Sequence, residues 1–172
     1  MKVFYKNLSV IFVSFMLHGC ISDAIKDTGD ILKNIASSED DKKASKMSMM
    51  LYADDAANVN ESNEPAPITV MVLQMTNDLK MITSDYASLT GDVKSTLGKT
   101  YLNHEEYIVQ PGSFTNVEEF PIEKNAKYIG IVASYRSIED AVWRGSVKIE
   151  DQGEQYAVHV VLSDDGLKVE VQ

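Results

Sequence analysis

Cysteine is almost absent from this 172-residue chain, which contains a single one, Cys20. A lone cysteine cannot form a disulfide within the chain, so a disulfide-stabilised fold is excluded. A zinc site built from several cysteine thiolates is excluded for the same reason. The thiol lies at the end of an apolar stretch, and its position there needs a different explanation.

Basic residues are also scarce. The chain has 16 Lys and Arg against 26 Asp and Glu, which gives a formal net charge of -10 and a pI near 4.7. Phosphate backbones repel such a chain, so nucleic-acid binding is disfavoured, as is binding to anionic headgroups through a basic patch. The length and the 44% hydrophobic content are typical of one folded domain.

The N-terminal apolar stretch is too short to cross a membrane. Residues 8–17 are apolar except for two serines, whereas a membrane-spanning helix needs about 20 residues. Lys2 and Lys6 give a basic start, and the small Gly19 follows the stretch. This arrangement is typical of a signal peptide over residues 1–19. The alternative is a buried N-terminal strand or helix.

Catalytic signatures are missing as well. Beyond the N-terminal segment the histidines are His104 and His159, which stand on different elements, and His159 is expected on the solvent side of its strand. The sequence has no G-x-S-x-G elbow, H-E-x-x-H motif or glycine-rich phosphate loop. A hydrolase would need acids or histidines clustered in one cleft, so it is the weakest of the functions considered.

Two pairs of adjacent acids occur, Asp54-Asp55 and Asp164-Asp165. Neither pair continues into the spacing of a calcium-binding loop, so both are expected in loops or turns. The sequence therefore predicts no metal site and no cofactor.

From Met47 onward apolar residues recur mostly with the period of a β-strand. Strands are predicted over residues 47–53, 68–75, 105–109, 117–122, 127–135, 142–149, 155–162 and 167–171. One helix is predicted between the second and third strands, and Pro-Gly, Asp-Asp-Gly and similar turn sequences separate the rest. Many short strands and one helix predict a mainly β fold, an antiparallel β-sandwich over residues 47–172.

The predicted helix begins after Asn77, whose side chain can cap it, and ends at Gly91. Its apolar stripe consists of Leu79, Ile82, Tyr86 and Leu89. We expect this stripe to pack on the sheet. A second, less regular helical turn is predicted over residues 92–97.

The stretch Leu17-His18-Gly19-Cys20 resembles the lipobox of bacterial lipoproteins. In such proteins the cysteine thiol receives a diacylglyceryl group, the signal peptide is cut before it, and the new amine is acylated. The resemblance implies that Cys20 is lipidated and becomes the first residue of the mature chain. The next residue, Ile21, is not the Asp that commonly retains lipoproteins in the inner membrane, so outer-membrane sorting is implied.

Residues 20–46 are then the lipidated N-terminus and a tether. Apolar residues in 21–35 have helical spacing, which predicts either an amphipathic helix or a mobile tether, and 37–46 is a polar spacer.

Four short motifs follow the second strand in order. They are the aromatic-x-x-leucine helix ending Tyr86–Leu89, the Thr96-Leu97-Gly98 step, the Pro111-Gly112 turn and the Trp143-Arg144 pair. Together with the lipobox, this set resembles the type VI secretion outer-membrane lipoproteins, the TssJ or SciN-like family. The similarity covers about residues 47–150.

The resemblance implies a transthyretin-like sandwich with one added helix and no enzymatic activity. It implies a place on the periplasmic face of the outer membrane and a partner, the periplasmic C-terminal part of the inner-membrane protein TssM. In the family the loop between the first two strands contributes to that contact. Here this loop is residues 54–67, and the candidate contact residues are Asp54, Asp55, Asn58, Asn60 and Glu61. The alternative is a lipid-anchored periplasmic module that binds a small ligand, lined by the Met-rich first strands, or inhibits an enzyme.

Overall fold

The computed structural model describes residues 43–60, 62 and 64–172. The predictions for Cys20, Ile21, the signal peptide and the helix over 21–35 lie outside the described residues, as does Glu61.

The described residues form two packed sheets of four strands each, and the prediction of a β-sandwich is confirmed. One sheet has the strand order β4-β1-β7-β8 and the other the order β3-β2-β5-β6. The strands are β1 (Lys46–Ala53), β2 (Ile68–Met75), β3 (Tyr101–Val109), β4 (Ser113–Pro121), β5 (Tyr128–Ala133), β6 (Arg144–Lys148), β7 (Gln155–Leu162) and β8 (Leu167–Val171).

One strand pair departs from the predicted antiparallel arrangement. β1 and β7 are parallel, with Lys46 opposite Gln155 and Ala53 opposite Leu162, while the other pairs within the two sheets are antiparallel. Side-chain alternation shows which face of a strand is buried but not the direction of its neighbour. A parallel pair needs a long crossover, and here most of the domain lies between the two strands.

Alternation explains the core between the sheets. In β1, Met47, Met49 and Leu51 point inward, and in β7 Val158 and Val160 meet them from the same sheet. β2 is buried on both faces because Val70 and Val72 face this core, while Met71, Leu73 and Met75 face a helical layer on the other side. Three layers therefore bury the apolar side chains of the central strands.

The helix predicted between Asn77 and Gly91 is interrupted in the structure, while a separate helical turn follows it, as predicted. Residues 79–97 form three short helices, α1 (Leu79–Thr83), α2 (Tyr86–Gly91) and α3 (Val93–Leu97), followed by a 3-10 turn at Gly98–Thr100. Ser84 is extended, with ψ of 152°, and the Asp85 side chain then caps α2 by accepting a hydrogen bond from the Ser88 N–H at 2.8 Å. The end of α2 at Gly91 agrees with the prediction.

The break also changes which side chains are buried. Met81 and Leu89 are fully buried against the sheet, whereas Leu79 and Ile82 are 63% and 44% exposed. The predicted stripe requires one continuous helix. Because Ser84 is extended, residues before and after it no longer lie on one helical face. No helix among the described residues is long and apolar enough to span a membrane.

Arg144 on β6 holds the helical layer at this break. Its Nη1 donates a hydrogen bond to the carbonyl of Met81 at 2.9 Å and another to the carbonyl of Ser84. Its guanidinium lies 4.3 Å from the centre of the Trp143 ring, whose edge meets Tyr86. The Trp143-Arg144 pair thus joins the helices to the sheet.

The strand directions bring four loops to one end of the sandwich. The ends of β1, β4, β7 and β8 are aligned at Ala53, Ser113, Leu162 and Leu167, and those of β2 and β3 at Ile68 and Val109. The loops that leave these ends and the end of β5 are residues 54–67, 110–112, 134–143 and 163–166. The chain enters the domain at the opposite end, where Lys43 and Ser45 pair with the 151–153 segment.

Gly166 in the β7–β8 turn is predicted to be intolerant of a side chain. It has a φ of +133°, and an added Cβ would lie 2.6 Å from the Val142 carbonyl oxygen. Gly153 also has a positive φ, +85°, but open space around it. Gly153→Ala should lower the free energy of unfolding by about 1–2 kcal/mol through backbone strain alone. Gly166→Ala should lower it by about 3 kcal/mol or more because overpacking is added. If urea denaturation gives equal losses of unfolding free energy for the two variants, Gly166 is not closely packed against Val142.

Candidate functional site

The four loops at one end of the sandwich, residues 54–67, 110–112, 134–143 and 163–166, are called the acidic loop end. Their acidic residues are Asp54, Asp55, Glu61, Glu64, Glu139, Asp140, Asp164 and Asp165, and their single basic residue is Arg136. The loops at the opposite end mix both signs of charge. A surface with one sign of charge attracts a partner of the opposite sign.

Asp54 and Asp55 directly follow β1. The backbone of Asp54 is fixed on both sides, because its N–H donates to Leu162 and its carbonyl accepts from Gly112. Asp55 is exposed, and its carboxylate lies over Gly112, which adopts a φ of +69°. The β1–β2 loop, the β3–β4 turn and the β7–β8 hairpin therefore meet at these two residues.

Asp54 and Tyr135 sit in an unfavourable electrostatic setting. Burial raises the pKa of Asp54, the charges of Asp164, Asp55 and Asp165 add to the shift, and a hydrogen bond from the Ala56 N–H opposes it. Burial also raises the pKa of Tyr135, with the charges of Asp54, Asp165 and Asp164 adding to it. Among the described residues, neither the Tyr135 hydroxyl nor Asp54 Oδ1 has a hydrogen-bond partner.

Asn58 holds the β1–β2 loop in place. It is 6% exposed and adopts a left-handed conformation with φ of 59°. Its Nδ2 donates to the carbonyls of Ala66 at 3.3 Å and Pro67 at 3.1 Å, and its Oδ1 accepts from the Arg136 N–H at 2.7 Å. All polar atoms of this side chain face the protein, so Asn58 positions the loop for contact by its neighbours.

Asn60 shapes the tip of the same loop. Its Oδ1 accepts from the N–H groups of Ser62 and Glu64, both at 2.9 Å, and its Nδ2 donates to Glu64 Oε2 at 2.8 Å. The backbone N–H of Asn60 also donates to the Glu64 carbonyl at 3.0 Å. This tight turn presents the Glu64 carboxylate at an exposed position.

An aromatic pair borders the acidic loop end on the outer face of the β4-β1-β7-β8 sheet. Tyr52 and Phe114 lie opposite each other on β1 and β4 and stack with ring centres 4.6 Å apart. Phe114 is 63% exposed, and Val161 on β7, directly across from Tyr52, is 38% exposed. Exposed aromatic residues beside charged loops are typical of protein-binding surfaces.

Most methionines of the first strands are buried in packed cores, and Met49 and Met50 of β1 border a shallow depression on the sheet surface. Met47, Met49, Met71 and Met75 are buried in the two cores. A small depression beside His104 and Phe120 encloses about 20 Å³, and a shallow one over His159, of about 230 Å³, lies on the sheet surface. No group of three or more His, Cys, Asp or Glu side chains in the described part of the chain is arranged to hold a metal ion.

The structure thus separates the predicted loop residues into different roles. Asp54 and Asp55 lie at the acidic loop end, Asn60 organises the loop tip, and Asn58 is an internal anchor. Sequence reasoning missed the second acidic pair, Asp164-Asp165, because it was assigned only to a turn. It missed Tyr135, Tyr52 and Phe114 altogether, since their proximity to the loop depends on how the strands pair.

The solved structures most informative about this fold are type VI secretion proteins. TssJ1 from Pseudomonas aeruginosa is 22% identical, with 76% of this chain and 98% of that chain aligned and a TM-score of 0.71. Serratia marcescens Lip, a membrane-bound component of the type VI secretion system, is 25% identical, with 73% and 96% aligned and a TM-score of 0.68. A chain in a structure of the TssM C-terminal domain from EAEC is 20% identical, with 73% and 97% aligned and a TM-score of 0.60.

Sequence comparison with curated proteins found no match. The family described as type VI secretion lipoprotein, VasD, EvfM, TssJ, VC_A0113, matches residues 45–172, which include all eight strands and the acidic loop end. The chain therefore belongs to the TssJ family of type VI secretion lipoproteins.

Proposed function

We propose that this lipoprotein is an assembly component of the type VI secretion membrane complex, anchored in the outer membrane and facing the periplasm. Its acidic loop end docks the periplasmic C-terminal part of the inner-membrane protein TssM. It acts by binding, and no step of catalysis is assigned to it. One observation carries the proposal: the acidic loops and the stacked Tyr52–Phe114 pair, with Phe114 63% exposed, lie at the same end of the sandwich.

The chemistry of this surface suits a protein partner. Apolar aromatic area supplies binding energy when it is buried, and surrounding charges select a partner of opposite sign and speed association. The bridged backbone of Asp54 and the internal bonds of Asn58 hold the loops in one conformation. A loop that is already ordered loses less entropy on binding.

The path of the chain also supports docking at this end. β1 runs from Lys46 to Ala53, so Lys43, where the described chain begins, lies at the end opposite the acidic loops. A strand of this length spans about 25 Å at about 3.3 Å per residue. If Cys20 carries the lipid and the acidic loop end docks TssM, a pulling force between the two attachment points would be transmitted along the strands of the domain.

We propose that Cys20 is the lipidated residue, that residues 1–19 are the signal peptide, and that Ile21 permits outer-membrane sorting. Each buried CH₂ of an acyl chain contributes about 0.8 kcal/mol, so two or three chains on one residue hold a protein firmly. Cys20→Ser should move the protein from the outer-membrane fraction to the soluble periplasmic fraction, measured by immunoblot of separated membranes. Retention of the variant in the outer membrane would contradict the anchor.

Docking is tested by direct binding. The chain from residue 20 with Cys20→Ser is titrated against the purified periplasmic C-terminal part of TssM from the same secretion cluster, by calorimetry. We expect a one-to-one complex whose affinity falls as salt rises, because acidic loops contribute to it. A further expected result is that Phe114→Ala weakens binding by about 5-fold or more through lost aromatic burial. Absence of binding by the unmodified surface would overturn the proposal.

A further inference from the structure

The acidic loop end contains two buried polar side-chain atoms that have no hydrogen-bond partner among the described residues. Tyr135 is 6% exposed, and its hydroxyl is buried without a hydrogen-bond partner among the described residues. The Asp54 Oδ1 atom, on the loop beside it, is also buried and unpartnered. Buried polar atoms normally have partners, and leaving one unmatched costs about 1–3 kcal/mol.

The charge around these atoms has one sign. The carboxylates of Asp54, Asp164 and Asp165 lie close enough to Tyr135 for their charges to affect its hydroxyl. Asp165 is partly satisfied, because its Oδ1 accepts from the Ser163 hydroxyl. The Ser163 N–H donates to the Gly166 carbonyl at 2.9 Å, and it opposes the rise in the pKa of Tyr135. The described cationic residue of this end, Arg136, is exposed.

Ionised carboxylates only accept hydrogen bonds, whereas a phenol can donate one through its O–H and accept one on its oxygen. The group that satisfies all of them must donate several hydrogen bonds and carry positive charge. An ammonium or a guanidinium has both properties, and its bonds to carboxylates are stronger than those of a neutral donor. Self-repulsion among the acids in the free domain would be relieved by the same group.

We propose that Asp54, Asp164 and the Tyr135 hydroxyl form a receptor for one cationic side chain, Lys or Arg, of the docked partner. This inference rests on the proposed function, because TssM is taken as the source of that side chain. It adds the chemistry of recognition: the cation enters between the β1–β2 loop and the β7–β8 hairpin, and the exposed aromatic pair contacts apolar surface beside it.

A matched pair of double variants tests the receptor. Asp54→Asn with Asp164→Asn removes two charges at Tyr135. Glu150→Gln with Glu154→Gln removes two exposed charges at the opposite end of the sandwich, outside the docking surface. Binding of the Cys20→Ser chain to the TssM C-terminal part is followed by surface plasmon resonance. The first variant should weaken affinity about 10-fold or more, mainly through faster dissociation. The second should change affinity less than about 3-fold, mainly through association rate.

Stability separates a receptor from a structural cluster. Asp54→Asn should raise the urea midpoint of the free domain at pH 7, because it removes a carboxylate that burial and like charges disfavour. Tyr135→Phe should leave the midpoint unchanged or raised and still weaken binding. A lowered midpoint in both variants, or equal loss of affinity in the two double variants, would overturn the receptor while docking itself stands. If the unmodified chain does not bind TssM, the proposed function fails instead.

Discussion

Replacing residues 60–65 with a Gly/Ser sequence of the same length should weaken TssM binding by about 10-fold or more, or about 1.4 kcal/mol. The replacement removes two carboxylates, Glu61 and Glu64, from the tip of the β1–β2 loop. It also removes the Asn60 side chain, whose hydrogen bonds to Ser62 and Glu64 fix the turn. A flexible tip must be ordered during binding, and that ordering reduces affinity further.

The free energy of unfolding should change by less than about 1 kcal/mol in this variant, because Ser62, Glu64 and Pro65 are exposed and the Asn58 anchor is kept. The matched control is Glu150→Ser with Glu154→Ser, which removes two exposed carboxylates at the opposite end of the sandwich. We expect this control to bind normally in the same calorimetric titration. Normal binding by the loop variant, or equal loss in the control, would remove the β1–β2 loop from the interface.

Asn58→Ala should destabilise the domain by about 3 kcal/mol. The substitution removes two donated hydrogen bonds, to Ala66 and Pro67, and one accepted from Arg136. Each contributes about 0.5–1.5 kcal/mol, and the freed backbone groups lie in a buried or partly buried setting. Alanine also tolerates the left-handed backbone less well than asparagine, which adds about 1 kcal/mol.

Asn125 provides the matched control for this change. It also has a left-handed backbone, with φ of 69°, but its side chain is exposed. Asn125→Ala should therefore cost only the backbone part, about 1 kcal/mol. Urea unfolding of both variants gives the difference, which we expect to be about 2 kcal/mol. Similar losses at the two positions would show that the Asn58 bonds contribute little to the loop.

Strand positions were predictable because alternation is a local signal. β2, an apolar run buried on both faces, begins and ends where the sequence predicts. β1, β7 and β8 agree closely with the prediction because apolar and polar residues mostly alternate along them. The breaks in the helical segment depend instead on Arg144, a residue that arrives from β6 about 60 positions later. The apolar periodicity of residues 79–97 gives no information about a contact with a residue so distant in the sequence.

The candidate site was predictable only in part. The polar, turn-rich character of residues 54–67 indicated a surface loop, and the family resemblance drew attention to it. That Asn58 is buried could not be inferred, because its partner Arg136 belongs to the β5–β6 loop. The contribution of Asp164 depends on the parallel pairing of β1 with β7, which places the β7–β8 hairpin beside Asp54.

The most direct test of the account is hydrogen–deuterium exchange of the Cys20→Ser chain with and without the TssM C-terminal part. The account predicts slower exchange on binding at the acidic loop end, in residues 54–67, 110–112, 134–143 and 163–166, and in the adjoining ends of β1 and β4. It predicts unchanged exchange in α1, α2 and α3 and in the 149–154 loop at the opposite end. Protection centred on the helical layer or on the 149–154 loop would contradict it.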